Sequence, residues 1–142
     1  MYSSCLEKQD KVKALFASCP TAADRYEKIM ALGAQLKSLP QEVKTEENRV
    51  RGCQSLMYLT AKLQNGRVHF EADSDALISK GLAVLLLMVY SDETPEAILK
   101  CPPTYLEELG ITNSLTPGRA NGLMSLHLKM KQEALKLLLQ EK

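Results

Sequence analysis

Among the four cysteines of this chain, Cys53 stands where nucleophilic chemistry is most readily arranged. It lies in the run Asn48-Arg49-Val50-Arg51-Gly52-Cys53-Gln54-Ser55, where a polar stretch gives way to alternating apolar residues. A cysteine attacks electrophiles as its thiolate, and basic neighbours such as Arg49 and Arg51 favour that form. Gly52 has no side chain, so the backbone of another molecule can approach Cys53 closely. The chemistry this predicts is thiol exchange, with Cys53 taking a sulfur atom from a partner and carrying it elsewhere. A cysteine is also a common small core residue, and on local pattern alone the two readings stay level.

The remaining candidates read more plainly. Cys19 falls on the apolar face of a helix and Cys101 just ahead of Pro102-Pro103, so both are expected in the core, while Cys5 is expected in a mobile terminal segment. There is no Cys-x-x-Cys, and four cysteines in a chain whose start lacks a basic region followed by an apolar run do not make a disulfide framework. Reduced thiols and a cytoplasmic location are expected. His69 and His127 are too few and too scattered for a Cys/His zinc site. One falls on the outward face of a strand and the other on the last helix, so neither sits as the oriented base a cysteine hydrolase or transferase needs.

The elements that must position Cys53 follow from pattern. A length of 142 residues and a charged fraction of 25% fit one soluble domain, here taken as 1–142, able to bury a core without metals or disulfides. The net charge of +1 argues against nucleic-acid or membrane-surface binding through bulk charge. The longest apolar run, Gly81 to Tyr90, is about half the ~20 residues a membrane span requires. Val12, Leu15, Phe16 and Cys19 recur at helical spacing over Lys8 to Cys19. Thr21 with Asp24 opens a second helix as a capping box, with Tyr26, Ile29, Met30, Gly33 and Leu36 on its buried face. The polar stretch from Gln41 to Arg51 reads as a loop.

After Cys53 the period changes to two. Met57, Leu59, Ala61 and Leu63 face one way, Asn65-Gly66 makes a type I′ turn, and Val68, Phe70 and Ala72 return. Asp73-Ser74-Asp75 supplies N-cap candidates for a helix running to Tyr90, apolar nearly all round and therefore central. Thr94-Pro95 starts a short helix that Pro102-Pro103 breaks. Thr104 to Glu107 reads as a capping box, Gly110 ends that helix, and Thr116-Pro117 opens the last and longest one. The order predicts an α+β domain, a short antiparallel sheet packed against several helices.

The run Asn48-x-Val50-x-Gly52-Cys53-Gln54-Ser55 resembles the signature of the SufE family, sulfur-acceptor partners of cysteine desulfurases in iron–sulfur cluster assembly. Further stretches resemble the same family in the same order: Tyr26-Glu27-Lys28-Ile29, Leu32-Gly33, Leu39-Pro40, Asp73-Ser74-Asp75-Ala76, Lys80-Gly81-Leu82, Thr94-Pro95 and Leu115-Thr116-Pro117-x-Arg119-x-x-Gly122-Leu123. The resemblance runs over nearly the whole chain and implies the SufE/NifU-like α+β fold. It implies that Cys53 accepts a persulfide sulfur on an exposed or half-buried loop tip, with Arg51, Gly52, Gln54, Asp75 and Arg119 in support. Gln54 and Ser55 would shape the loop and Gly52 let it pack or flip. Asp75 would hold the loop or simply cap a helix. Arg119 would stabilise the sulfur anion or anchor the partner.

The partners implied are a pyridoxal-phosphate-dependent desulfurase of the SufS or CsdA kind, stimulated by this chain, and downstream scaffolds such as SufBCD. No cofactor is expected beyond the covalently carried sulfur. No pyridoxal-phosphate lysine motif is present, so the chain is expected to be a sulfur-transfer partner rather than an independent enzyme. Two departures stand out. The tryptophan common just beyond the Gln-Ser pair is replaced by the Met57-Tyr58 region, and Cys101 is an additional thiol. A non-catalytic interaction module and an iron–sulfur scaffold of the NifU-like fold are the alternatives.

Overall fold

Alternation from Met57 onward produces two antiparallel strands, β1 (Met57–Gln64) and β2 (Arg67–Ser74), paired from Met57 opposite Ser74 to Gln64 opposite Arg67. The computed structural model describes residues 2–141. Asn65 at φ 53° and Gly66 at φ 78° form the two-residue turn, as their types require. Met57, Leu59, Val68, Phe70 and Ala72 bury one face of the hairpin.

That face rests on helices. The chain runs through α1 (Ser3–Leu15), α2 (Ala22–Ala34), a 3₁₀ turn (Gln41–Val43), the hairpin, α3 (Leu77–Tyr90), α4 (Pro95–Lys100), α5 (Thr104–Glu108), α6 (Ile111–Ser114) and α7 (Pro117–Glu141). α3 is the central helix, packed by α1, α2, β2 and α7. Leu82, Ala83, Leu85, Leu86 and Val89 are at most 3% exposed, so the helix without a polar face lies inside, as its composition predicts. The long α7 crosses both β1 and α4 and carries Leu123, Leu126, Met130 and Ala134 into the same core.

Several helix ends obey their local signals. Thr21 and Asp24 make the reciprocal capping box. Thr94 accepts from Ala97 N ahead of Pro95, and Thr116 Oγ1 accepts from Arg119 N at 3.3 Å ahead of Pro117. Gly110, at φ 71°, lies between α5 and α6.

Other expectations are corrected. α1 begins at Ser3 rather than Lys8, so Cys5 is not mobile but fully buried with Val12 and Phe16. Its start is clasped from a distance: Ser4 Oγ donates to Glu93 at 2.9 Å and Lys8 pairs with Glu93 at 2.7 Å. Cys19 lies beyond the end of α1, half-buried in the turn that follows. Tyr26 turns outward at 46% exposure, leaving Ile29 and Gly33 as the buried residues of α2. Asp73 and Ser74 belong to β2, and the residue preceding α3 is Ala76, with no side-chain cap. Thr104 does not form a capping box because Pro103 is the N-cap of α5; as the first helical residue, Thr104 turns its hydroxyl to Gln9 Oε1 at 3.4 Å.

Candidate functional site

Cys53 sits at the tip of a loop grown from the free edge of β1. Asn48 and Val50 continue the sheet there: Leu59 N donates to Asn48 O and Val50 N to Met57 O, both at 2.8 Å, with Arg49 bridged to Tyr58. Pairing stops at Val50, and residues 51–56 bulge out over the N-terminal half of α7. The polar stretch is therefore partly an edge segment, anchored by the buried Val50.

Three contacts hold the loop. Leu56 N donates to Asp75 Oδ1 at 3.0 Å, and Asp75 N donates back to Leu56 O at 3.2 Å. Asp75 thus ties the base of the Cys53 loop to the junction between β2 and α3 and caps no helix. Ser79 Oγ on α3 donates to Ser55 Oγ at 3.2 Å, and Arg119 Nη1 on α7 donates to Ser55 Oγ at 3.0 Å and to Ser79 Oγ at 2.8 Å. Cys53 Sγ, finally, reaches the carbonyl of Gly122 at 3.6 Å.

Glycines on α7 make room for the loop. A side chain at Gly118 would overlap Gln54, and one at Gly122 would stand 3.4 Å from Cys53 Sγ. Gly52, at φ 91°, adopts a backbone that other residues avoid, and an added Cβ would lie 2.5 Å from Ser125 Oγ. The space above Gly52 is therefore already taken by α7, and the expectation that it admits another molecule's backbone is corrected.

Around the sulfur lies a small cavity of about 10 Å³ whose walls include Cys53, Met57, Ser79, Leu82, Arg119 and Gly122. That volume is close to one water-sized centre. Burial raises the Cys53 pKa above its ordinary value, so the resting group is a neutral thiol. The expectation that Arg49 and Arg51 favour the thiolate is corrected. Both turn to Glu46, Arg51 at 2.6 Å and Arg49 at 3.7 Å, and Arg51 is largely exposed. Screened by water and already paired, they lend Cys53 little. Arg119 is the reverse case: half-buried at the cavity, with no carboxylate within ion-pair reach among the described residues.

Ser79 is the member that sequence reasoning missed. It is 6% exposed, and its signal was present as the single Ser or Thr in the largely apolar Leu77–Tyr90 helix, where Lys80 is the one charged residue. Asp73 has a tethering role in place of the expected cap. Burial would raise its pKa, but hydrogen bonds from Leu39 N, Lys44 and Ser74 N outweigh that and lower it. Asp73 thereby fastens the start of the Gln41–Val43 segment to β2.

The histidines stay apart from the thiol. His69 Nδ1 lies 3.0 Å from Asp92 on the outer side of the hairpin. His127 is stacked against Tyr90 with ring centroids 4.8 Å apart, and burial and Lys131 lower its pKa to about 4. It lines a groove of about 620 Å³ that begins at Gly52 and runs between α5 and α7 past Leu106, Met124, Leu128 and Lys131. Among the described residues no three His, Cys, Asp or Glu side chains converge as a metal site, and no helix is long and apolar enough to cross a membrane.

The chain is similar to known proteins over most of its length. A SufE family profile, described as an Fe–S metabolism associated domain, matches residues 10–134. An uncharacterized SufE-like protein of Synechocystis sp. is 39% identical over 111 residues, covering 78% of this chain and 70% of that one. SufE-like protein 1, chloroplastic/mitochondrial, of Arabidopsis thaliana is 37% identical over 131 residues, 92% of this chain but 35% of that longer protein. The solution structure of a hypothetical protein from Thermus thermophilus matches with a TM-score of 0.75 at 28% identity, covering 92% of this chain and 96% of that one.

Proposed function

This chain belongs to the SufE family, and we propose on that premise that it is a sulfur acceptor whose Cys53 takes persulfide sulfur from a cysteine desulfurase. The observation that carries the reading is the setting of Cys53: a half-buried thiol on a loop tip, beside a small cavity and a cation that has no carboxylate partner among the described residues. The step conserves electrons. The Cys53 thiolate attacks the outer sulfur of the donor's cysteine persulfide, a new S–S bond forms at Cys53 Sγ, and the donor's S–S bond breaks. The donor cysteine leaves as a thiolate and takes up the proton that Cys53 gave.

Burial raises the thiol's pKa, so the loop has to open before attack, exposing Sγ and restoring thiolate. The partner would dock on the Gln41–Arg51 segment, the hairpin and the start of α7 around Arg119, and would be stimulated as its persulfide is cleared. The sulfur would then pass to an iron–sulfur scaffold in a compartment that keeps thiols reduced, for which the cytoplasm is proposed. Carrying sulfur as an anchored persulfide needs no resident cofactor.

The test is intact-protein mass spectrometry after incubation with a cysteine desulfurase and free cysteine, followed by peptide mapping. One reductant-labile sulfur on Cys53, absent from Cys53→Ser and retained by Cys101→Ser, is expected. Sulfur spread over all four cysteines, or none added, overturns the acceptor reading in favour of an interaction module.

A further inference from the structure

We infer that Ser79 is a positioning residue that keeps Arg119 at the cavity as a waiting counter-charge for one anionic sulfur atom on Cys53. The inference rests on the acceptor reading above and adds to it a residue and a charge state.

In the resting cradle the charges do not match. The thiol is neutral because burial disfavours its ionised form. Arg119 nevertheless stands half-buried at the same cavity, bonded to two neutral hydroxyls and paired with no carboxylate among the described residues. A half-buried cation so placed gains favourable pairing once an anion arrives beside it. A persulfide supplies that anion, because the S–SH group is a stronger acid than a thiol. The cavity next to Sγ has room for about one extra atom. That room matches one outer sulfur.

The two serines have different duties. Ser55 belongs to the loop that carries Cys53 and leaves with it when the loop opens. Ser79 is on α3, the central helix of the core, and stays. A serine inside a helix commonly turns its hydroxyl back to its own helix's carbonyls. Here the hydroxyl instead accepts from Arg119 Nη1 and donates to Ser55. With the loop open, Ser79 is the hydroxyl still fixing Nη1, so the guanidinium is in place when the loaded loop returns. The loaded state is then sheltered by charge pairing as well as by cover.

The test loads wild type, Ser79→Ala and Ser79→Thr with desulfurase and cysteine, then follows survival of the Cys53 persulfide in glutathione, per loaded molecule, from pH 6 to 9. Loss of a hydrogen bond to a charged group predicts decay about tenfold faster in Ser79→Ala, with Ser79→Thr restored toward wild type. The pH above which ionisation protects the persulfide from glutathione thiolate is expected to shift upward in Ser79→Ala, because the lost counter-charge leaves more of the group in its neutral, attackable form, which a packing defect alone would not produce. Arg119→Gln keeps donors without charge and is expected to decay as fast as Ser79→Ala. Decay at the wild-type rate with an unmoved pH profile in both Ser79→Ala and Arg119→Gln overturns the inference while leaving the acceptor reading intact. Failure of wild type to load overturns both.

Discussion

Two groups of thiols in this chain are covered in different ways. Cys5 and Cys101 are in hydrogen-bonding contact in the core, at most 2% exposed, and burial raises the pKa of each. Gln9, itself buried, donates to Cys101 Sγ at 3.3 Å, and the Tyr90 hydroxyl donates to the Cys101 carbonyl at 2.7 Å. Cys53 is also raised by burial, but its cover is a six-residue loop and one face of a helix rather than the core. A raised pKa therefore does not separate the loop thiol from the core thiols here. What separates them is how much structure must move to uncover the sulfur.

The widest test of that contrast is alkylation of the native protein with peptide mapping. Cys53 needs only local opening, whereas Cys5 and Cys101 need opening of the core, so Cys53 is expected to label ~10³-fold faster than Cys101. Equal rates at Cys53 and Cys101 would erase the distinction. In denaturant all four cysteines should label alike.

The Tyr90 contact on the Cys101 side also carries an acid sensitivity. His127 stacks on Tyr90, and its folded pKa of about 4 lies below the ordinary 6.5. The unfolded chain holds that proton more tightly, so the stabilisation is complete above pH 6.5 and is lost as pH falls toward 4. The full effect is roughly 3 kcal/mol. Melting temperature against pH should fall over this window in wild type and much less in His127→Phe. A flat wild-type curve would contradict it.

A smaller effect tests the loop's tether. Asp75→Asn weakens the bond from Leu56 N, and Cys53 labelling is expected to quicken about tenfold, with Cys101 unchanged. An unchanged Cys53 rate would mean that Asp75 does not hold the loop. The smallest effect belongs to Arg51→Gln. Because Arg51 is exposed and paired with Glu46, its removal should alter Cys53 labelling by less than about twofold. A large loss would restore Arg51 as an activator of the thiolate.

What the sequence made legible were features whose cause is local. Asn65-Gly66 demands its turn, Thr94-Pro95 and Thr116-Pro117 set their helix starts, and an apolar helix has only the core to occupy. The hairpin, the α+β class and the central helix could be read for that reason. Cys5 could not, because its burial depends on a clasp to Glu93 some ninety residues away. Within the site, closeness in sequence misled. Arg49 and Arg51 flank Cys53 yet turn to Glu46, while Ser79 and Arg119, distant in the chain, line its cavity. Gly52 was recognised as special, but the neighbour that needs its missing side chain is Ser125 of the same molecule.

The anchoring of the Cys53 loop sets how far Cys53 can reach from the sheet. Val50 and Met57 are stapled together by a backbone hydrogen bond, and Cys53 is the third residue beyond Val50. A fully stretched chain of that length spans about 10 Å. If Cys53 carries sulfur as proposed, the loop would be a short crane with a fixed foot, with little length to search. A donor cysteine deeper than that radius inside its own enzyme would then have to come forward on a moving segment, and the staple at Val50 would set the division of travel between the two proteins.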